Sequence, residues 1–463
     1  MEKSFTESVK AYGVKKVLGY LKKDPEKNLP KILDWLDKAG SMSSMPQQFA
    51  FVKKVLSDPE NKWYQYAMDV LHNTNPNCLD RFLDDFVING SLLGLPRQHK
   101  VEKENDCNIP WCILFDPTSA CNMHCTGCWA AEYGHQQNLT YEDMDKIVTQ
   151  GEELGVFVYL MTGGEPLTRK QDILKLAKAH PDSYFHIFTN TTLIDEQFCK
   201  DVVECGNISF APSIEGNRET TDARRGTGCY DKVMHALDLL KQYGIPFAAS
   251  VCYTHANYKA VTSDEFIDLL EKKGAKIVWY FHYMPVGNDA TPDLLLTPDE
   301  REYVYRRVRE IRSMKSPHKI FSIDFQNDGE FVGGCIAGGA EYCHINSHGD
   351  VEPCVFIHYS SANIKEQDLL DCLKQPLFLA YRKHQPFNEN MLMPCPMLEN
   401  SGELTKLVKE SGAHSTDMVS PESAESLCDK TKEYAREWAP RAQQLWQAEK
   451  DAGIARAPKN RNF

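Results

Sequence analysis

No run of 18 apolar residues occurs in this 463-residue chain, so it offers no candidate membrane-spanning helix. Nor does a charged stub followed by an apolar stretch open it, so no export signal is expected. Basic charge is in deficit, with 52 Lys and Arg against 65 Asp and Glu and a net charge of −13. That balance makes nucleic acid an unlikely main partner, since binding its backbone relies on Lys and Arg neutralising phosphates. Low-complexity tracts and convincing internal repeats are missing too. Cysteine, by contrast, is plentiful, with sixteen residues. Without an export signal, so many thiols point to metal sites or reduced thiols rather than a disulfide framework. A reducing, cytoplasmic location is expected. With 25% charged and 42% apolar residues the chain is globular, and its length suits two or three domains.

The first hundred residues read as helices. Apolar positions recur at helical spacing in residues 14–21, 29–36, 49–56 and 63–71, punctuated by Pro25, Pro46, Pro59 and Pro76. The segment 1–105 therefore forms a helical N-terminal domain, either a cap on the next domain or a lipid-holding or partner-binding bundle. From Trp111 the period changes. Residues 111–115, 156–161, 184–188, 208–211, 247–253 and 277–281 read as buried strands. Helices fit between them, one starting at the capping-box-like Thr140-Tyr-Glu-Asp143 and another spanning residues 230–243. Strand–helix alternation implies parallel βαβ units with right-handed crossovers over residues 106–320. Residues 321–400 lose the pattern and become rich in Gly and Cys. In the tail, 401–463, residues 422–451 look like a polar helix with few apolar anchors.

Three cysteines fall in the run Cys121-Asn-Met-His-Cys125-Thr-Gly-Cys128-Trp129, a C-x3-C-x2-C spacing. Cys thiolates are standard ligands of iron–sulfur clusters, and three of them leave one iron of a four-iron cluster for a small molecule. A zinc site or buried structural thiols are the alternatives, although zinc usually takes four ligands, often as C-x2-C pairs. The spacing and Trp129 resemble the signature of the radical SAM superfamily. There the open iron chelates the amino and carboxylate groups of S-adenosylmethionine (SAM), and one electron cleaves SAM to methionine and a 5′-deoxyadenosyl radical. The resemblance implies a partial (β/α)6 TIM-like barrel, with the site at the C-terminal ends of its strands. It also implies an anaerobic host and a flavodoxin- or ferredoxin-like electron donor.

Further segments extend the resemblance. Gly163-Gly164-Glu165-Pro166, after the second strand, resembles the GGEP motif, whose backbone and Glu hold the SAM amino group. Asn190 ends the third strand where relatives approach SAM. Ser213 and Glu215 resemble an S-x-D/E-G segment that meets the ribose or methionine carboxylate. Within Arg224-Arg225-Gly226, Arg225 aligns better as carboxylate partner, and a planar guanidinium suits that role. Residues 283–287 resemble the adenine-side turn.

Downstream, Cys335 and Cys354 flank Gly349 as C-x13-G-x4-C, which resembles the opening of the SPASM or Twitch extension. A hairpin turn at His348-Gly349-Asp350 would bring both cysteines to one site, with Cys395 as third ligand. One auxiliary four-iron cluster is implied. Cys343 is the first candidate for its fourth ligand and Cys372 the next, or one iron is left open. Cys199, Cys205, Cys229 and Cys252 are expected to act as small hydrophobes. His282 and His344 are candidates for substrate contact. The activity implied is hydrogen abstraction from an unactivated C–H of a peptide or protein side chain, a lipid or a small molecule, with the auxiliary cluster assisting oxidation or bond formation. The alternative is an iron–sulfur electron-transfer or SAM-binding partner protein without radical chemistry.

Overall fold

A curved parallel sheet organises the molecule, whose computed structural model describes residues 5–40, 53–287 and 290–458. Its strands are β1 (Cys112–Phe115), β2 (Val158–Met161), β3 (Tyr184–Thr189), β4 (Ile208–Pro212), β5 (Ala248–Tyr253) and β6 (Ile277–His282). All six coincide with the strands expected from the apolar runs, with ends differing by two residues or fewer. Two more parallel strands continue the sheet where the pattern had been lost. β7 (Phe321–Asp324) pairs with β6, and β8 (Tyr342–Ile345) pairs with β1. Isolated bridges Phe210↔Phe247 and Ser213↔Ser250 join β4 to β5. The sheet thus runs β8-β1-β2-β3-β4-β5-β6-β7, and Phe325 beyond β7 lies edge-on to Tyr342 of β8, ring centroids 6.2 Å apart. The barrel curves further round than six strands would carry it.

Strand alternation sorts the side chains. Ile113, Phe115, Tyr159, Met161, Phe185, Ile187, Phe210, Val251, Val278 and Tyr280 face the helices in the main apolar core. Those helices include Tyr141–Leu154, which starts at Thr140 with the full capping box to Asp143, and Cys229–Gln242. The opposite faces of the strands line the lumen.

The N-terminal helices close the lower mouth, where the strands begin. Asn75 N donates to Gly244 O, Asn77 Nδ2 to Val203 O, Arg81 to Pro181 O and Gln98 Nε2 to Gly155 O, all at 2.7–2.9 Å. Each acceptor lies in the approach to a strand. A π-helical segment, Phe82–Leu93, presses Phe82 and Phe86 against Tyr184, and Phe86 also against Trp111. Residues 49–52 of one predicted helix, and Pro46, lie outside the described residues.

The C-terminal helix, Ala424–Asp451, differs from its expectation as a polar tail. It buries Leu427, Tyr434, Trp438, Leu445 and Trp446 against the cysteine-bearing extension. Its aromatic anchors recur at wide spacing among charges, which hid the stripe from a count of aliphatic residues.

Candidate active site

The segment after β1 carries Cys121, Cys125 and Cys128, all half-buried, and its course is fixed by the ends of other strands. After β2, Gly164 N donates to Thr118 O (2.9 Å) and Glu165 N to Ala120 O (2.8 Å). After β3, Asn190 Nδ2 donates to Asn122 Oδ1 (2.8 Å) and lies 4.0 Å from Cys121 Sγ. After β4, Arg224 O accepts from Thr126 N at 3.0 Å. After β6, the Tyr283 ring lies over Gly127. Gly164 has no room for a side chain, because a Cβ would sit 2.5 Å from Ser119 O and closer still to Ala120 O. Gly163 beside it holds φ +105°.

Burial pushes the Cys121 thiol up to about 11, with Glu165, Cys128 and Cys125 adding to the effect. Burial also raises Cys128, with Cys125 adding, while Arg224 and Arg225 pull it down. Three mutually repelling thiolates beside two guanidiniums suit a multi-iron cluster, since coordination to iron holds thiols deprotonated. Among the described residues no three His, Cys, Asp or Glu side chains converge as for one metal ion. The ligands of a cubane each bind a different iron and need not so converge.

The residues expected to meet SAM come to this loop, but several are already engaged. Glu165 is buried, and its carboxylate accepts from Leu167 N (3.0 Å), Thr189 Oγ1 (2.7 Å) and Asn190 N (2.7 Å). It caps the short helix Pro166–Arg169 and staples β2 to β3. Asn190 Oδ1 accepts from Thr192, so its amide is fixed in orientation. Thr191 next to it holds φ +68°, an uncommon conformation for a β-branched residue. Ser213 N donates to Thr189 O at 2.9 Å.

Glu215, fully buried, takes Arg224 and Arg225 on one oxygen at 2.6–2.9 Å. Despite burial, the two guanidiniums hold its carboxyl below the usual range. The other oxygen of Glu215, and Arg224 Nε, are buried without hydrogen-bond partners. These orphaned polar atoms beside the cysteine loop fit a ligand that presents both an ammonium and a carboxylate. Arg224 was passed over in favour of Arg225, yet both arginines hold Glu215, and Arg224 alone supplies the carbonyl that ties the cysteine loop. Cys252 lies beside them within electrostatic reach of Cys128, half-buried on the lumen face and packed against an apolar cluster.

Below this rim the lumen is lined by half-buried Leu160, His186, Phe188, Ser250, Cys252, Trp279, Phe281 and Phe325. Closed eight-unit barrels fill this space with packed side chains; here the lumen side chains keep partial exposure. Trp279 of β6 reaches across to stack on Phe188 of β3, with centroids 5.3 Å apart and planes at 20°.

The extension gathers a second set of sulfurs. The β8 hairpin with β9 (Val351–Glu352) turns at Gly349, and Cys335, Cys354 and Cys395 act on one another electrostatically. Burial pushes the Cys354 thiol up to about 12. Cys395 N donates to Glu399 Oε2 (2.9 Å), and Glu399 pairs with the wholly buried Arg301 (2.8 Å), which stacks on Trp438.

Cys343 corrects the expectation for the fourth ligand. It pairs in register with Ile113, and its electrostatic neighbours are Cys112 and Cys372. Strand alternation puts Cys343, with Cys372, in the core between sheet and helices and gives the lumen face to His344. His282 and His344 are also not free for substrate. His282 bonds Tyr283 O and Tyr434 Oη, and His344 lies between Asp116 (3.0 Å) and Glu352 (2.7 Å).

A parallel barrel bearing a three-thiol loop at its upper rim, sewn to a GGEP turn, defines a radical SAM enzyme. The profile of the Radical SAM superfamily matches residues 115–272. That of the SPASM iron–sulfur cluster-binding domain matches residues 335–397. The chain is a radical SAM enzyme with a C-terminal SPASM-type auxiliary cluster domain. It is 25% identical over 286 residues to the AdoMet-dependent heme synthase of Methanosarcina barkeri, covering 56% of this chain and 81% of that protein. It is 26% identical over 267 residues to the mycofactocin maturase MftC of Mycolicibacterium smegmatis, covering 55% and 66%. Streptococcus suis SuiB bound to its precursor peptide SuiA shares the fold, with a TM-score of 0.55 at 19% identity over 73% of this chain and 80% of that one.

Proposed function

We propose that this enzyme removes a hydrogen atom from an unactivated C–H of a substrate seated in the barrel chamber, a peptide side chain foremost. When bound, the cluster at Cys121, Cys125 and Cys128 supplies with SAM a 5′-deoxyadenosyl radical, and the auxiliary cluster supplies an electron acceptor. The polypeptide positions and shields. Glu165 and Asn190 hold the rim in one geometry, Glu215 keeps Arg224 and Arg225 beside the thiols, and the chamber walls keep water from the reacting carbon. One observation carries the reading, the stitching of the cysteine loop to the GGEP turn directly above a half-buried lumen.

The mycofactocin maturase likeness supports a peptide substrate. A flat macrocycle is the second reading, favoured by the Phe188–Trp279 stack and the heme synthase likeness. The electron donor belongs to the same proposal, as a flavodoxin- or ferredoxin-like protein, and so does a cytoplasmic setting. Among the described residues no helix is long and apolar enough to cross a membrane.

The test is dithionite-dependent 5′-deoxyadenosine formation by anoxically reconstituted protein, with Cys125→Ala as control. Product that vanishes in the variant is expected. A fully loaded protein that binds SAM yet yields none, with or without peptide, would sink the proposal.

A further inference from the structure

The lumen side of β3 descends from the cysteine loop in steps of two residues. Asn190, just past the strand, reaches toward Cys121 at the rim, and Phe188 below it stacks on Trp279. His186 comes next, and Tyr184 rests edge-on against Phe82 of the floor. His186 thus lies four residues, or about 13 Å of strand, below the rim. It pairs in register with Leu160 of β2 and Ser209 of β4. Its ring is half-buried, with Phe188 and Trp279 edge-on at centroid distances of 5.6 Å each.

The two ring nitrogens differ. Nδ1 lies 2.8 Å from Ser209 Oγ, whereas Nε2 has no hydrogen-bond partner among the described residues. The buried Tyr184 phenol bonds the same Ser209 hydroxyl and finds no other acceptor among those residues. One arrangement of protons leaves no buried donor stranded. Tyr184 donates to Ser209, Ser209 donates to Nδ1, and the ring carries its own proton on Nε2. The reverse order would strand the phenol proton, and buried donors are ordinarily paired. Burial also pushes the imidazole down to about 4, so the ring is neutral near pH 7 and has a single N–H to give.

Resting on the reading that the substrate occupies the lumen, we infer that His186 is a specificity-determining residue, its Nε2–H donating to a carbonyl oxygen at the deep end of the substrate. A neutral donor suits a carbonyl, because the pair brings no charge into an apolar lining. Selection follows from the same bond. A substrate with a methylene in place of that oxygen would leave the N–H unpaired, a penalty that apolar contact alone cannot impose. With the oxygen held below and the radical formed at the rim, the carbon attacked would be fixed by its distance along the substrate from that carbonyl.

The experiment uses the full chain with its clusters reconstituted and oxidised, SAM bound, and its histidines labelled with the heavy nitrogen isotope for NMR. The His186 signals are those missing from His186→Gln. Expected are a pyrrole-type nitrogen at Nε2 and a pyridine-type nitrogen at Nδ1. Acetone is the probe, and isobutene, with a methylene where acetone has its oxygen, is the control. Acetone should shift Nε2 saturably and isobutene should not. Ser209→Ala should release Nδ1 and mix the tautomers. A proton on Nδ1 in the native chain overturns the inference, as does an Nε2 that ignores acetone or answers both probes alike. An unmixed tautomer in Ser209→Ala refutes the relay from Tyr184. None of these readings depends on turnover, so a protein that forms no 5′-deoxyadenosine defeats the activity while the ring decides this inference separately.

Discussion

His344 is a buried imidazole held between two carboxylates. It is fully buried between the carboxylates of Asp116 and Glu352, and they raise its pKa to about 10 although burial alone would lower it. Tyr133 and Asn346 donate to the same Glu352. Asp116 immediately precedes the cysteine loop and Glu352 lies on the auxiliary hairpin, so one imidazolium joins the two halves of the chemistry. Because the folded value exceeds the unfolded 6.5, its stabilisation is present in full below that pH and falls away as pH rises toward about 10. Urea melts should lose up to about 1.4 kcal/mol per pH unit across that window. His344→Gln should be less stable at neutral pH and lack that slope; an unchanged slope would place the titration elsewhere. At this scale the fold gathers at one rim several residues that the sequence singled out, but their local partners were not readable from it. Cys121, Cys125 and Cys128 were legible because metal-ligand spacing is written along the chain. The engagement of Glu165 with Thr189 and Asn190 was not, since those partners lie 24 and 25 residues away on a neighbouring strand. Cys343 was misplaced because its role depends on which face of β8 it occupies.

Among the elements, the cysteine loop has little regular structure of its own until the short helix Trp129–Tyr133. It takes its shape from four strand ends, and the GGEP turn is the tightest of these supports. Gly164→Ala would drive a methyl into the carbonyls of Ser119 and Ala120, backbone atoms that cannot move without dragging Cys121. The expected outcome is loss of most iron at the three-thiol loop and of SAM binding, with auxiliary iron and thermal stability largely kept. Full iron at that loop would show that it tolerates displacement. Strands β1 to β6 were readable because fully buried strands appear as continuous apolar runs. β7 and β8 were missed: Phe321-Ser-Ile-Asp324 has its polar residues on the helix side and Tyr342-Cys-His-Ile345 has polar groups on its lumen side, and four positions are too few to set a period.

Across the whole molecule, the C-terminal helix acts as a brace. Trp438 is fully buried, donates to Leu392 O (3.0 Å) and lies against Arg301, whose partners Asn327, Tyr434 and Glu399 come from three separate regions. Trp438→Ala should destabilise the protein by about 3–5 kcal/mol. It should also loosen Cys395 through Glu399, so auxiliary iron is lost before iron at the three-thiol loop during chelator challenge. Simultaneous loss would mean the two sites unfold as one unit.

The aromatic floor formed by Phe82, Phe86, Trp111 and Tyr184 leaves the chamber closed at its base. Phe325 against Tyr342 narrows the seam between β7 and β8. With the base stopped by rings, traffic over the rim passes beneath the loop that holds the sulfurs, so a product that lingers there delays the next round.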